Sequence, residues 1–425
     1  MTPIFLTRQG GPLGLIADLL GYIMDGIFYI MNTFGVVNIG VCIIIFTIVT
    51  RILMMPLSYK QAKSQKIMAV IQPQISLIQQ KYKGKENDQQ AMMMQNAEIK
   101  AVYERYGTSM TGGCLQLAIQ LPIIFALYRV ILNIPAYVSA VRVYFDQIVT
   151  AIGGATAIEK VNEFAHSSET FTKLLSSARI GENITTTNHI IDFLYYLNPS
   201  QWNQFVDYIG NNGISQAVID STIVPNMNTI IDMNSFFGIN LAASPSSYGF
   251  SDIRCWIIPV LAGLAQYLAS KITMKSTAAT GDKNSAQMMS TMNIMMPLIS
   301  VWFCFSISSG VGIYWIASSV IMGLTQYLLN SHMNRVNVDD LIAKNLEKAN
   351  KKRAKKGLPP INEKSQEDQL KKMQLKMQRE EEKRAKQLED TKSRIDDANS
   401  YYKTGSIAER ARMVQQYNEK HDKKR

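Results

Sequence analysis

Apolar and charged positions are segregated along this chain. Five apolar stretches have the length of a membrane-crossing helix: 34–57, 110–138, 253–271, 288–307 and 310–330. The first holds 24 residues, which at ~1.5 Å per residue reach about 36 Å, enough to cross a ~30 Å hydrocarbon core. Arg51 is its sole charge. Ser308 and Ser309 alone separate the last two stretches, which predicts a tight hairpin.

The remaining segments carry other patterns. In residues 1–33, Ile16, Leu19, Leu20, Ile23, Ile27 and Ile30 share one helical side, and Asp18 and Asp25 occupy another. That spacing predicts an amphipathic helix, lying in the membrane interface or packed on other protein. Segment 58–109 is polar, with Ile67, Ile71, Ile75 and Ile78, then Met94, Ile99 and Val102, at helical intervals. It reads as two antiparallel helices joined by a turn near Gly84 and Lys85, the first bent at Pro73. Residues 139–252 scatter Asn, Ser, Thr and Gly and form an insertion whose fold the pattern leaves undefined; 272–287 is a short loop, and 331–425 is a polar tail. The expected fold is an all-α polytopic membrane protein: five transmembrane helices, a helical hairpin and an N-terminal interfacial helix.

Charge orients this arrangement. The net charge is +11, from 44 Lys/Arg against 33 Asp/Glu, and residues 331–425 hold 25 of those bases and 16 of the acids. The basic excess is therefore a property of the tail, which argues against a uniformly basic nucleic-acid-binding globule. The 58–109 segment has eight Lys/Arg and four acids, whereas 139–253 has four and ten. Short basic loops stay on the cytoplasmic side. The N-terminus and the 139–252 insertion are then expected outside, and the hairpin, the 272–287 loop and the tail in the cytoplasm. The tail reads either as a solvated appendage or as a surface docking electrostatically to RNA or anionic lipid.

Candidate chemistry centres on Arg51. A charge near the middle of a span costs about 2.5–3.5 kcal/mol on insertion scales, so it should face a wet cavity or an anionic partner. Thr47 and Thr50 share its helix face. Other spans repeat the polar pattern with Gln116 and Gln120, Gln266 and Tyr267, Ser290, Asn293 and Ser300, and Trp315, Ser318 and Ser319. Each stripe alone reads as interhelical hydrogen bonding; together they converge on a hydrophilic cavity. No acidic residue lies in any of the five stretches, so the anionic partner is expected to arrive with a client. Arg129, in the outer half of its span, is expected to snorkel outward. Cys42, Cys114, Cys255 and Cys304 form no CxxC pair, and His166, His189, His332 and His421 lie outside the apolar runs. No metal site, disulfide framework or cofactor is expected. The chain has no HExxH, GxSxG or Walker A motif and no paired intramembrane aspartates, which weighs against an intramembrane hydrolase. It has no repeat between halves, which weighs against a transporter.

The stretch from Thr47 through Arg51 to Pro56-Leu-Ser, with Lys60-Gln and Ile71-Gln-Pro73, resembles the YidC-type (YidC/Oxa/Alb) membrane protein insertase family. So do Gly112-Gly-Cys114, Ile119-Gln120-Leu-Pro122-Ile, Met296-Pro297 and Ser309-Gly310-Val-Gly-Ile-Tyr314-Trp315. Thr108-Ser-Met-Thr111 departs from the family's Asn-Pro, and Gln116 stands where Pro is common. The similarity is to the compact form, without the large amino-terminal extracytoplasmic domain. It implies a five-helix core around a groove open to cytoplasm and lipid, with Arg51 as the groove arginine. Thr47, Gln120, Tyr314 and Trp315 match positions that line the groove or touch clients. It also implies a non-enzymatic insertase and chaperone of the bacterial plasma membrane. Its partners would be nascent membrane proteins, lipid, the ribosome through the basic tail, and in some settings the general secretion translocon.

Overall fold

The computed structural model describes residues 12–85, 87–108, 114–178, 180–275, 283–361, 375, 379, 382–383, 385–393 and 406–422. The side chains of 12, 114–120, 274–275, 283–290, 292–293 and 419–422 lie outside the described residues. Among the described residues, the regular structure is helical apart from one small hairpin. Contacts divide the chain into two units, residues 1–76 with 108–343 and residues 77–107 with 344–425.

The larger unit holds the apolar helices. α1 is Pro12–Thr33, α2 is Ile39–Leu53, and α3 is Met55–Lys81, whose last turn belongs to the second unit. Asn38 starts α2: its side chain accepts from the Val41 amide at 3.2 Å and donates to the Ser235 carbonyl at 2.8 Å. α2 ends at Leu53, and α3 leaves it at a 56° bend. Pro56 explains the position, because a proline disfavours helical geometry in the residue before it and supplies no amide hydrogen to the preceding turn. The expected uniform span 34–57 is thus a bent pair. α3 then runs unbroken past Pro73.

After α4 (Gln89–Arg105) comes α5 (Cys114–Leu132), which stops at Asn133 just before Pro135, so the apolar stretch to 138 is not one helix. α14 (Arg254–Lys275), α15 (Lys283–Ser306) and α16 (Ser309–Asn334) follow the insertion. Among the described residues, Leu13–Thr33, Arg254–Thr273 and Ser309–Asn334 are each long and apolar enough to cross a membrane, and α2 with α3 passes as a bent pair. Leu121–Leu132 and Ile294–Ser306 are shorter apolar helices. α1 thus has the length and apolarity of a span, a property that its two aspartates had obscured in the sequence. Glycines let the spans approach: a Cβ on Gly312 would overlap Ile258, and one on Gly263 would overlap Val301.

The insertion is a helical cap that closes span ends. After the short α6 (Ile134–Tyr137) it comprises α7 (Ser139–Ala151), α8 (Ile158–His166), α9 (Glu169–Ser177), α10 (Thr187–Tyr195), α11 (Pro199–Asn211), α12 (Gln216–Val218) and α13 (Val224–Asn234). Strands β1 (Ser235–Phe236) and β2 (Ile239–Asn240) pair antiparallel, with Ser235 opposite Asn240. Its buried Trp202, Phe145, Phe164, Phe193 and Phe205 belong to one apolar core that continues into α1, α2, α5 and α16. The last carbonyls of a helix have no intrahelical donor, a serious cost beside lipid. Here Tyr195 donates to the Ile131 carbonyl at 3.2 Å and Tyr196 to that of Leu132 at 3.1 Å, both at the end of α5. At the start of α16, the Ser309 amide donates to the Ala243 carbonyl at 2.8 Å and the Gly310 amide to that of Leu241 at 2.9 Å. Asp25 of α1 accepts from the amide and hydroxyl of Ser139, each at 2.9 Å, and so caps α7.

The second unit contains the end of α3, α4 and most of α17 (Val338–Ala354), with α18 (Ile407–Asp422) further along the tail. The predicted turn falls at Gly84, whose φ of 82° only glycine adopts freely. Asp88 caps α4 by accepting from the amides of Gln90 and Ala91. Glu98 accepts from Lys81 at 2.6 Å and from the Tyr82 hydroxyl at 2.9 Å, which ties the two helices together. Gly107 has a positive φ and sits against the backbone of Asn345 and Leu346.

Candidate functional site

Arg51 lies in the last turn of α2 and is half-buried. Its guanidinium donates to the hydroxyl of Ser318 on α16. Among the described residues no carboxylate forms an ion pair with it. Ser319 follows Ser318, and one residue turns a helix by about 100°. The second hydroxyl therefore points elsewhere, and donates to Gln266 Oε1 on α14 at 3.0 Å. Two consecutive buried serines thus connect α16 to both α2 and α14.

Thr47 and Thr50 differ from the sequence expectation in one respect. Thr47 is fully buried and donates to the Ile43 carbonyl at 2.6 Å. Thr50 donates to the Phe46 carbonyl at 2.9 Å. Both hydroxyl hydrogens are spent inside α2, so these residues can offer a ligand only an acceptor. Ser300 likewise donates to the Met296 carbonyl at 3.0 Å. The side chains of Gln116 and Gln120, and of Ser290 and Asn293, lie outside the described residues.

One turn along α16 from Ser318, Tyr314 and Trp315 line a pocket of about 280 Å³ together with Leu13, Phe125, Tyr128 and Arg129. Tyr314 is buried, and the Trp315 ring stands 5.3 Å from that of Phe303. The Trp315 Nε1 hydrogen is buried with no acceptor. Arg129, expected to snorkel outward, lies three residues before the end of α5 and lines this pocket with the two aromatic residues of α16. Its spacing from Phe125 and Tyr128 was visible, but the approach of α16 was not. Among the described residues no group of His, Cys, Asp or Glu is placed to hold a metal ion.

An all-α, multi-pass membrane protein with a half-buried arginine bonded, among the described residues, to a serine hydroxyl is the class that this fold and site define. The profile of the family described as 60Kd inner membrane protein matches residues 29–178 and 217–336, well over half of the chain. The chain belongs to that family. The profile passes over 179–216, which carries α10 and α11. Individual relatives share shorter stretches. A protein named membrane protein insertase YidC from Helicobacter pylori is 38% identical over 117 residues, 27% of this chain and 20% of that protein. Those of Oceanobacillus iheyensis and Fusobacterium nucleatum, named likewise, are each 40% identical, over 109 and 105 residues, or 25% and 24% of this chain and 42% and 48% of theirs. The chain thus spans less than half the length of each of these three relatives.

Proposed function

We propose that this chain is a membrane protein insertase and chaperone of the bacterial plasma membrane, working without catalytic chemistry. The observation that carries this reading is Arg51. A cation inside an apolar helix that meets, among the described residues, one hydroxyl and no carboxylate keeps most of its five donors available. An incoming acidic side chain would find in it the strongest partner in the spans. The names of the relatives support the same reading.

The physical task is moving a short polar segment through hydrocarbon. A hydrophilic groove around Arg51, with Ser318 and Gln266 on its wall, shortens the dry part of that path. The acidic part of the client is drawn to Arg51 while its apolar helix partitions sideways into lipid. Gln116, Gln120, Thr50, Tyr314 and Trp315 complete the groove in this proposal, while Thr47, fully buried, bonds within α2. The insertion 139–252 faces outside, with the N-terminus. The hairpin and basic tail lie in the cytoplasm, where Lys344–Lys356 offers a charge-based contact to ribosomal RNA. α1 lies in the interface: Leu13 sits beside the end of α5, and Asp25 reaches the start of α7.

Crosslinking tests this reading. A photoreactive side chain at Trp315 or Ser318 should trap a nascent single-span protein on stalled ribosomes, and one at the exposed Tyr417 should not. Absence of adducts from both groove positions, with the protein present at normal level, would contradict it.

A further inference from the structure

We infer that the pocket between the end of α5 and the start of α16 binds an anionic phospholipid, with the headgroup phosphate on Arg129 and part of one acyl chain among the aromatic rings. The pocket shares Tyr314 and Trp315 with the proposed groove, but the inference rests on Arg129 and the lining and not on the insertase reading.

Three observations converge. Arg129 lines the pocket, and among the described residues its guanidinium has neither an ion pair nor a hydrogen bond. A cation in an apolar setting calls for a counter-charge, and the planar guanidinium matches phosphate through two parallel hydrogen bonds. Trp315 lines the same pocket, and among the described residues its buried Nε1 hydrogen has no acceptor. Buried indole hydrogens are nearly always paired, so this one calls for an oxygen that no described residue supplies. The rest of the lining, including Leu13, Phe125 and Val311, is apolar. A ligand with acceptor oxygens at one end and hydrocarbon at the other satisfies both halves.

Size and depth narrow the choice. At about 280 Å³ the pocket is just below the usual range for whole small molecules, ~300–1,000 Å³, so it takes part of a larger amphiphile. Arg129 is three residues before the end of α5, where the chain turns at Asn133 into the extramembrane cap. That is the depth at which a headgroup phosphate sits. Among the described residues the lining has no carboxylate to receive an ammonium, so phosphatidylglycerol fits better than phosphatidylcholine or phosphatidylethanolamine.

The test is native mass spectrometry of the full chain released from nanodiscs holding equal phosphatidylglycerol and phosphatidylcholine. The wild type should retain phosphatidylglycerol preferentially. Arg129→Gln should lower that retention about tenfold, the equivalent of a charge-assisted hydrogen bond. Trp315→Phe should lower it less, and Lys271→Gln, outside the pocket lining, should leave it unchanged. Equal retention of the two lipids by the wild type would overturn the inference without any need for a variant. So would undiminished phosphatidylglycerol on an Arg129→Gln protein whose helix content is normal, the outcome expected if a client segment or nothing fills the pocket.

Discussion

Arg51 and Ser318 are 267 positions apart in the chain, yet the guanidinium of one donates to the hydroxyl of the other and joins α2 to α16. Ser318→Ala should lower the thermal midpoint of the detergent-solubilised protein, by the equivalent of about 1 kcal/mol. In an Arg51→Ala background the same change should cost little, since no buried charge is left without its partner. A double-mutant cycle measures this coupling. Strictly additive effects would mean that the bond contributes nothing.

Tyr195 is fully buried, and burial holds its phenol well above its ordinary pKa, so it stays a neutral donor to the Ile131 carbonyl. Tyr195→Phe leaves that carbonyl unpaired at the end of α5 and should destabilise by about 1–2 kcal/mol. Tyr208 donates to Glu163 at an exposed site, and Tyr208→Phe should cost under ~0.5 kcal/mol. Thermal unfolding of both variants tests the difference. Equal losses would deny the cap its role in closing α5.

His189, in the cap, has its pKa lowered by burial, and its Nδ1 accepts from the Thr185 amide at 3.3 Å. The unfolded chain therefore takes up this proton before the folded one does. The stability involved is complete above about pH 6.5 and is lost as pH falls through the lower folded value. The acidic groups held low, Glu169, Asp252 and Glu347, lose their share only below their ordinary values of 4.5, 3.8 and 4.5. Between pH 7.5 and 5.5 the midpoint should therefore fall in the wild type and hold nearly level in His189→Asn, which keeps an acceptor but cannot charge. Parallel curves would remove His189 as the cause.

Sidedness can be read with thiols. Cys42, Cys255 and Cys304 are buried, while Ser200 and Lys85 are exposed. In a cysteine-free background, a cysteine at 200 should react with an impermeant maleimide on spheroplasts, and one at 85 only after lysis. Reaction at 85 before lysis would reverse the assigned orientation.

Much of the architecture was legible because a membrane span and an amphipathic hairpin write their periodicity into the sequence. The Gly84 turn, the α14 and α16 spans and the lone charge of Arg51 were all visible that way. What one helix does to another was not. Ser318 as the partner of Arg51, Ser319 as that of Gln266, and Tyr195 and Tyr196 closing α5 are long-range pairings with no local signal. The back-bonding of Thr47 and Thr50 depends on rotamers that spacing does not fix. The bend between α2 and α3 was written in Pro56, but the apolar run continues through it and hides it. The place of Arg129 beside Tyr314 and Trp315 was hidden because it depends on the approach of α16, which leaves no local signal.

The central claim is that Arg51 attracts acidic client segments. Insertion should be measured for one client with an acidic translocated tail and one with a neutral tail, in vesicles carrying equal amounts of wild type, Arg51→Lys or Arg51→Ala. Arg51→Lys should retain most insertion of both clients. Arg51→Ala should lose the acidic-tailed client and spare the neutral one, while still accumulating normally, because removing an intramembrane charge relieves a desolvation cost. Equal loss of both clients with Arg51→Ala would contradict the attraction.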